Sequence, residues 1–344
     1  MTGPLRIGVI GTGYGQQVHV PAFRADSRCE VVAICARTAE RAARVAERLG
    51  IPRSFGDARD MLASGEVDAV SIAVPPAQQP ELVIAAAEAG KHVFCEKPFA
   101  AEVPQAERAL RAVEQSGVRH AMDFIFPEMR AWQEARARLR EGTIGKLRFV
   151  SLAWRVETYA FRAGIDSWKM HACEGGGTLN QFVSHSLYYL EWLLGAVGRV
   201  AARLTPRGSA GDAHADLWLE LASGCPVTVS VAADAFLGSG HRLEIYGEQG
   251  SLVLENRAKD YVNGFTLSVG TREKGTFSTQ EFTPFADADG RIGAASAIAR
   301  RFVDSILSDR TVEPNLADGL RVQRLIAAAR EADRTGGWQS VCVG

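Results

Sequence analysis

LRIGVIGTGYG, residues 5–15, decides how the first half of the chain is read. Leu5 to Ile10 is an apolar run of strand length, and it passes directly into Gly11, Gly13 and Gly15. A helix-like stretch then continues to about Ala25. In that order, the glycines let the backbone turn tightly and bring a pyrophosphate onto the N-terminus of the helix. The usual spacing is G-x-G-x-x-G, whereas position 16 is Gln and the third glycine comes one residue early. Alone the motif is weak, and its meaning depends on the segments beyond it.

Those segments alternate between strand and helix. Apolar strand runs at Glu30–Cys35, Ala69–Val74, His92–Cys95 and Arg119–Phe124, with a short edge at Ser54-Phe55, are separated by helical patterns. The helical patterns cover Thr38–Leu49, Asp57–Ala63, Pro80–Ala89 and Ala101–Ser116. Continuous apolar strands alternating with helices predict an α/β fold with a parallel, doubly wound sheet. Such sheets bind ligands beyond the carboxyl ends of their strands. EKPFA, residues 96–100, sits at one such end, which moves Lys97 from surface decoration toward function.

The second strand ends Cys35, Ala36, Arg37, Thr38, with no carboxylate at its tip to hold the ribose 2'-hydroxyl of NAD. Arg37 can instead fork onto a 2'-phosphate, with Thr38 adding a hydroxyl. NADP(H) is therefore preferred, with NAD(H) left open. The competing view is that Arg37 is a solvated helix-start residue and that Glu40 or Arg41 matters more.

After about residue 124 the pattern changes. A helix over Met129–Glu141 precedes strand-like runs at Leu147–Val156, Val200–Leu204, Ala215–Leu221, Pro226–Ala232, His241–Tyr246, Gly250–Glu255 and Phe265–Val269. These predict a C-terminal α+β domain on a large, mainly antiparallel open sheet. Helices at Thr178–Leu194 and Ala295–Leu307, together with a partner subunit, are expected to cover it. The domains are expected at 1–123 for the dinucleotide, 124–315 for substrate and oligomerisation, and 316–344 for a final helix and tail packing back on the first domain. GGGTLNQFVSHSLYYLEWLLG, residues 175–195, leads three glycines into a helix whose Asn180, Gln181, Ser184, His185 and Tyr188 recur at spacings near three and four. A helical His is more often a satisfied core or surface group. Beside a cofactor cleft it becomes a proton-transfer group.

Composition limits the alternatives. Of 344 residues, 47% are hydrophobic and 23% charged, and the formal net charge of −1 offers no basic field for nucleic acid. No apolar run approaches the roughly 18 residues of a membrane span. Six cysteines without a CxxC pair read as free thiols in a reducing cytosol, so the expected localisation is cytoplasmic. His171, Cys173 and Glu174 lie close together but lack a ligand spacing, and no metal is expected. Ser184, His185 and Asp166 have no nucleophile elbow behind them.

Taken together, RIGVIGTGYGQQVHVPAF, VDAVSIAVPP, KHVFCEKPFA, the GGGTL…H stretch, LEIYGEQGSLVLEN and DGLRVQRLIAAAREAD resemble the glucose–fructose oxidoreductase / inositol dehydrogenase / MocA family over nearly the whole chain. The resemblance implies a Rossmann domain, a C-terminal sheet that forms homodimers or homotetramers, and hydride transfer at a hydroxyl-bearing carbon of a sugar or cyclitol. It implies that Lys97 lies near the nicotinamide and the reacting oxygen, that Glu96 orients Lys97 or the cofactor, and that Pro98 fixes the loop through a bond that is often cis. Gly11, Thr12, Gly13, Tyr14, Gly15 and Gln16 would hold the cofactor, with Val74, Pro75 and Pro76 shaping the cleft wall.

Three departures stand out. The family usually carries Asp four residues before the histidine, where this chain has Gln181, which does not exchange protons near pH 7. Either His185 and Lys97 share that work, or Tyr188 or Asp166 compensates, or the protein does not catalyse. No Arg follows the sixth strand until Arg130, and the glycine fingerprint is shifted.

The expected function is an NADP(H)-dependent oxidoreductase of a sugar, nucleotide sugar or cyclitol, with a biosynthetic ketoreductase acting on a polyol or ketosugar as one form of it. His185 is the expected acid/base and Lys97 its electrostatic partner. Asn180 and Gln181 are expected on substrate hydroxyls, and Trp168, with Trp154 and Tyr159, against a sugar ring or in the core. The alternatives are a catalytically silent, cofactor-sensing regulator of the same fold, and redox-neutral chemistry on tightly held NAD.

Overall fold

Six strands form the first sheet: β1 (Leu5–Ile10), β2 (Cys29–Cys35), β3 (Arg53–Phe55), β4 (Ala69–Ile72), β5 (His92–Cys95) and β6 (His120–Met122). The computed structural model describes residues 3–165, 167–207 and 211–342. All pairings in this sheet are parallel, and the order is β3-β2-β1-β4-β5-β6. The chain reverses its winding beside β1 and β4, where doubly wound sheets open a ligand crevice. Strands covered on both faces need apolar side chains throughout, and Ile7, Val9, Ala69, Val70, Ile72, Val93 and Phe94 are all fully buried. Ser71 is the polar exception in β4, and its hydroxyl is bonded to His19.

The chain divides into two compact units. One comprises the residues up to Ile125 together with Arg291–Gln323, and the other comprises Phe126–Gly290 with the residues from Arg324 on. The sequence pattern alone places 124–315 in the second domain and has the Ala295–Leu307 helix covering the second sheet. That helix, observed as Gly290–Ser308, instead supplies Phe302 to the first unit. Phe302 is fully buried, with ring centroids 6.4 Å from Phe23 and 5.8 Å from Phe94. The following segment is tied there too. Met122 donates its backbone N–H to Pro314 O at 3.0 Å, and Leu316 N–H reaches His120 Nδ1 at 3.3 Å. A three-ring apolar contact outweighs sequence proximity in deciding where this helix packs.

The second unit carries β7 (Leu147–Arg155), β8 (Val197–Pro206), β9 (Asp212–Leu221), β10 (Pro226–Ala232), β11 (Gly240–Gly247), β12 (Gly250–Asn256), β13 (Thr266–Thr271), β14 (Phe277–Glu281) and β15 (Gln339–Ser340). Their order is β14-β13-β12-β11-β7-β10-β9-β8-β15, antiparallel except for the β7–β10 pair. β9 shows the period of two: Ala213, Ala215, Leu217, Leu219 and Leu221 are buried, while His214 and Trp218 are exposed. The inner face is closed by helices. Trp132, on Arg130–Arg140, packs its ring 5.4 Å from Phe265, and Tyr189, on Ser184–Leu194, sits 5.7 Å from His241 of β11. The opposite face is polar, with Arg242 bridging Glu244 and Glu255, and with Phe149 and Trp218 exposed. All six cysteines are free thiols. No described helix is long and apolar enough to cross a membrane.

Candidate active site

In the first unit, the site begins where β1 ends. Gly11 has φ +116, and a Cβ there would lie 2.2 Å from Ala73 O, so only glycine fits. Its N–H donates to Cys35 O at 3.0 Å, which holds the turn against the end of β2. A Cβ on Gly13 would meet nothing within 4 Å, leaving the backbone open on that side. A Cβ on Gly15 would sit 3.0 Å from Val9 Cγ1, which marks close helix–strand packing. This is the cradle a pyrophosphate needs. The early third glycine has a structural counterpart. Gly15–His19 is π-helical, closed by Val20 N–H on Gly15 O, and a π turn holds one more residue than an α turn.

Thr12 O accepts from Gln16 Nε2, and Thr12 Oγ1 accepts from Arg41 Nε at 2.7 Å. Thr38 caps the Ala39–Leu49 helix by accepting from Arg41 N–H at 3.3 Å. Arg37 lies exposed just past β2. The structure thus brings Arg41, which the sequence alone ranks behind Arg37, directly onto the glycine turn. Val74 and Pro75 are half-buried past β4, and Pro76 is buried. Tyr14 stands edge-on to His19, with centroids 5.1 Å apart.

The EKP loop leaves β5 on the same sheet edge, and Lys97-Pro98 is cis. Gln79 Nε2 donates to Glu96 O at 2.9 Å and to Pro98 O at 2.7 Å, so one buried amide clamps the backbone on both sides of Lys97. Lys97 N–H donates to Glu96 Oε2 at 2.9 Å. The Glu96 carboxyl faces Asp123, just past β6, and His19 from the glycine-turn helix. One ligand-type atom from each of the three lies within 4.8 Å of the others. His19 Nε2 lies 3.1 Å from Asp123 Oδ2, and its Nδ1 lies 2.7 Å from Ser71 Oγ. Both ring nitrogens are therefore spent on protein partners, so the group reads as a hydrogen-bonded cluster rather than a metal centre. Burial first, and then the charge of Asp123, pushes the Glu96 carboxyl up to about 8, against the pull of Lys97. Sequence reasoning missed His19, Ser71 and Asp123. An Asp at a carboxyl strand end was the available signal.

In the second unit, the three glycines turn into a π-helical segment, Leu179–Val183, that continues as Ser184–Leu194. Gly177 has φ +96, and a Cβ there would stand 2.3 Å from Asp212 Oδ1. Asp212 Oδ2 accepts from Leu179 N–H at 2.6 Å, taking up one of the N–H groups left open at the start of a helix. Thr178 Oγ1 adds a bond to Ala213 O at 2.8 Å. His185 is buried, with its ring 5.0 Å from Phe126. Tyr188 is buried one turn further on, and Gln181, one turn earlier, donates Nε2 to Lys169 O at 2.6 Å.

Not every expected residue faces outward. Asn180 is fully buried, and neither of its amide atoms has a hydrogen-bond partner, so it presents nothing to solvent. Ser184 turns the same way and donates to Asn180 O. The helix divides its polar residues between two faces, which the sequence spacing alone merges. Trp168 is half-buried on a short turn, Trp154 is core, and Tyr159 is exposed. Asp166 lies outside the described residues.

Residues 5–124 match a family described as an oxidoreductase family with an NAD-binding Rossmann fold, and residues 132–253 match the Gfo/Idh/MocA C-terminal domain. An uncharacterized oxidoreductase of Synechocystis sp. is 33% identical over 98% of this chain and 96% of its own. The chain belongs to the Gfo/Idh/MocA oxidoreductase family. Among other relatives of this Gfo/Idh/MocA oxidoreductase, a D-xylose 1-dehydrogenase (NADP(+)) of Haloferax volcanii is 30% identical over 67% of this chain and 70% of its own. A solved levoglucosan dehydrogenase in complex with NADH and levoglucosan is 25% identical, with a TM-score of 0.88 over 98% of this chain and 99% of that one.

Proposed function

We propose that this Gfo/Idh/MocA protein transfers hydride at a secondary alcohol or ketone carbon of a sugar, nucleotide sugar or cyclitol, with NADP(H) preferred over NAD(H). The observation that carries this reading is the placement of Lys97. It follows β5, two strands from the glycine turn that follows β1, on the carboxyl edge of one parallel sheet. The levoglucosan and D-xylose dehydrogenases among its relatives support a sugar substrate. The cofactor preference rests on Arg37, Arg41 and Thr38 at a β2 tip that lacks a carboxylate.

The nicotinamide, when bound, supplies the hydride donor or acceptor. The glycine turn, Gly11 to Gln16, would cradle the pyrophosphate of the dinucleotide. Val74, Pro75 and Pro76 would border it, with Glu96 and Pro98 fixing the loop. The Lys97 ammonium stabilises the alkoxide that develops on the reacting oxygen. His185 takes the hydroxyl proton in oxidation and returns it in reduction. Gln181 and Tyr188 hydrogen-bond substrate hydroxyls, and Trp168 offers a ring face. The polar outer face of the second sheet, with Trp218 and Phe149 exposed, supports assembly as a homodimer or homotetramer.

Single-turnover oxidation of NADPH by a ketosugar panel tests the reading. The rate should collapse in Lys97→Ala and His185→Ala, and an unchanged rate in both sinks it.

One observation favours the silent regulator instead. Gln181, where the family usually has Asp, donates its Nε2 to a backbone carbonyl and carries no exchangeable acid proton. That reading expects tight NADPH binding with no turnover of any sugar.

A further inference from the structure

We propose that Asp123 and His19 are positioning residues for the lysine loop. A proton shared between the Glu96 and Asp123 carboxyl groups, with Asp123 held by His19, ties the loop bearing Lys97 to the helix that opens at the glycine turn. The inference rests on the reading of Lys97 as the residue at the reactive end.

The chain of contacts is continuous and crosses four elements. Ser71 on β4 bonds His19 Nδ1 at 2.7 Å. His19, at the end of the π turn, bonds Asp123 at 3.1 Å through Nε2. Asp123 follows β6 and is anchored by its own N–H on Cys95 O at 2.9 Å. Its carboxyl meets that of Glu96, whose Oε2 accepts the Lys97 N–H at 2.9 Å. His19 has a partner on each ring nitrogen: Nε2–H donates to Asp123 and Nδ1 pairs with the Ser71 hydroxyl. With both nitrogens committed, His19 fixes which Asp123 oxygen remains to face Glu96.

His19 and Asp123 are both essentially inaccessible to solvent, so neither can be decoration. Two carboxylates this close in a dry site do not both ionise, and a shared proton resolves the conflict. The groups facing Glu96 are Asp123, His19, Lys97 on its own loop and the Cys95 thiol of β5. Gln79, from the flanking helix, is neutral, and Tyr14 packs on His19. Burial holds the Cys95 thiol protonated, and only Lys97 opposes retention of a proton by Glu96. Loss of that proton places a second negative charge beside Lys97 and breaks the carboxyl–carboxylate bond. The lysine therefore senses the state of a cluster reaching to the glycine turn.

The test is a 13C NMR titration of the reductively 13C-methylated full chain. The chain has six lysines, and the Lys97 signal is identified by its loss in Lys97→Arg. The wild-type Lys97 shift should inflect near pH 8. The inflection should vanish in Glu96→Gln and move down by about 1 pH unit in Asp123→Asn. If either variant misfolds, 13C-carboxyl spectra of the wild type serve alone: one Glu carboxyl should titrate near pH 8. A Lys97 signal without that inflection, or one that keeps it in Glu96→Gln, overturns the proposal, as does a wild type with no carboxyl titrating above about pH 6. Neither readout needs turnover. A protein inactive on every sugar would sink the dehydrogenase reading and leave this result standing.

Discussion

Arg41 Nε donates to Thr12 Oγ1 across 2.7 Å, so the first turn of the helix after β2 is fastened to the glycine turn after β1. Arg37 stands exposed four residues earlier, and no carboxylate occupies the β2 tip between Cys35 and Thr38. A 2'-phosphate would find two guanidinium groups there, and a bare 2'-hydroxyl would find no carboxylate at the tip. Charge-assisted bonds of this kind are each worth about 1.5–3 kcal/mol. Arg37→Ala should therefore weaken NADPH binding by about 10-fold or more and leave NADH within about threefold. Arg41→Ala should weaken both, because it also releases Thr12. Tryptophan-fluorescence titrations with each nucleotide check this. Equal losses for NADPH and NADH in Arg37→Ala would contradict the assignment.

Lys97 and His185 carry different roles and should fail differently. Removing an electrostatic donor to a developing oxyanion costs about 10²–10³ in kcat. Removing a general acid/base costs about 10²–10⁴. Both alanine variants should keep NADPH affinity within a few-fold, because neither change touches the glycine turn. Lys97→Arg should recover part of the rate, since it restores the charge without the shape.

The GGG turn depends on Asp212. Asp212→Ala leaves the Leu179 N–H without its acceptor at the start of a buried helix, for a loss of about 1–2 kcal/mol. Gly177→Ala should cost at least as much, because its φ of +96 and the Asp212 carboxylate leave no room for a methyl group. Denaturant midpoints check both. Unchanged midpoints would mean the turn is held by other contacts.

Stability of the first unit should have a maximum in pH. Burial lowers His120 to about 4 and also lowers His92, with Arg119 adding to both. As pH falls below 6.5, the unfolded chain takes protons that these folded histidines refuse, and stability is lost toward pH 4. Glu96 works in the other direction. Folded, it keeps its proton to about 8, whereas unfolded it releases it near 4.5, so its contribution is lost as pH rises between those values. Glu96→Gln should flatten the loss above pH 6.5 and steepen the acid side, where the Glu96 and histidine effects oppose each other. Thermal melts from about pH 5 to pH 9 decide, and an alkaline loss that persists in the variant would contradict the assignment.

The fold is largely legible in the sequence because its signals are local. LRIGVI, EVVAIC, AVSI and HVFC read as buried strands from their apolar runs, and turn residues mark their ends. β14 escapes notice because FSTQE is exposed on both faces at a sheet edge, so no apolar alternation records it. The Gly290–Ser308 helix is assigned to the wrong sheet because its partners, Phe23 and Phe94, lie more than 200 residues earlier, and amphipathicity names a buried face without naming what buries it. Lys97 and Arg37 stand out because strand ends are where ligands bind. The His19–Asp123–Glu96 cluster does not, because it is assembled from three separate segments and only the folded sheet brings them together.

The most direct test of hydride transfer follows the absorbance of the reduced nicotinamide, with NADP+ or NADPH against a panel of sugars, ketosugars and cyclitols, in both directions. At least one compound should drive nucleotide oxidation or reduction, and Lys97→Ala and His185→Ala should each slow it by about 10²-fold or more. A protein that binds NADPH tightly and turns over no compound in either direction would contradict the account and favour the silent regulator.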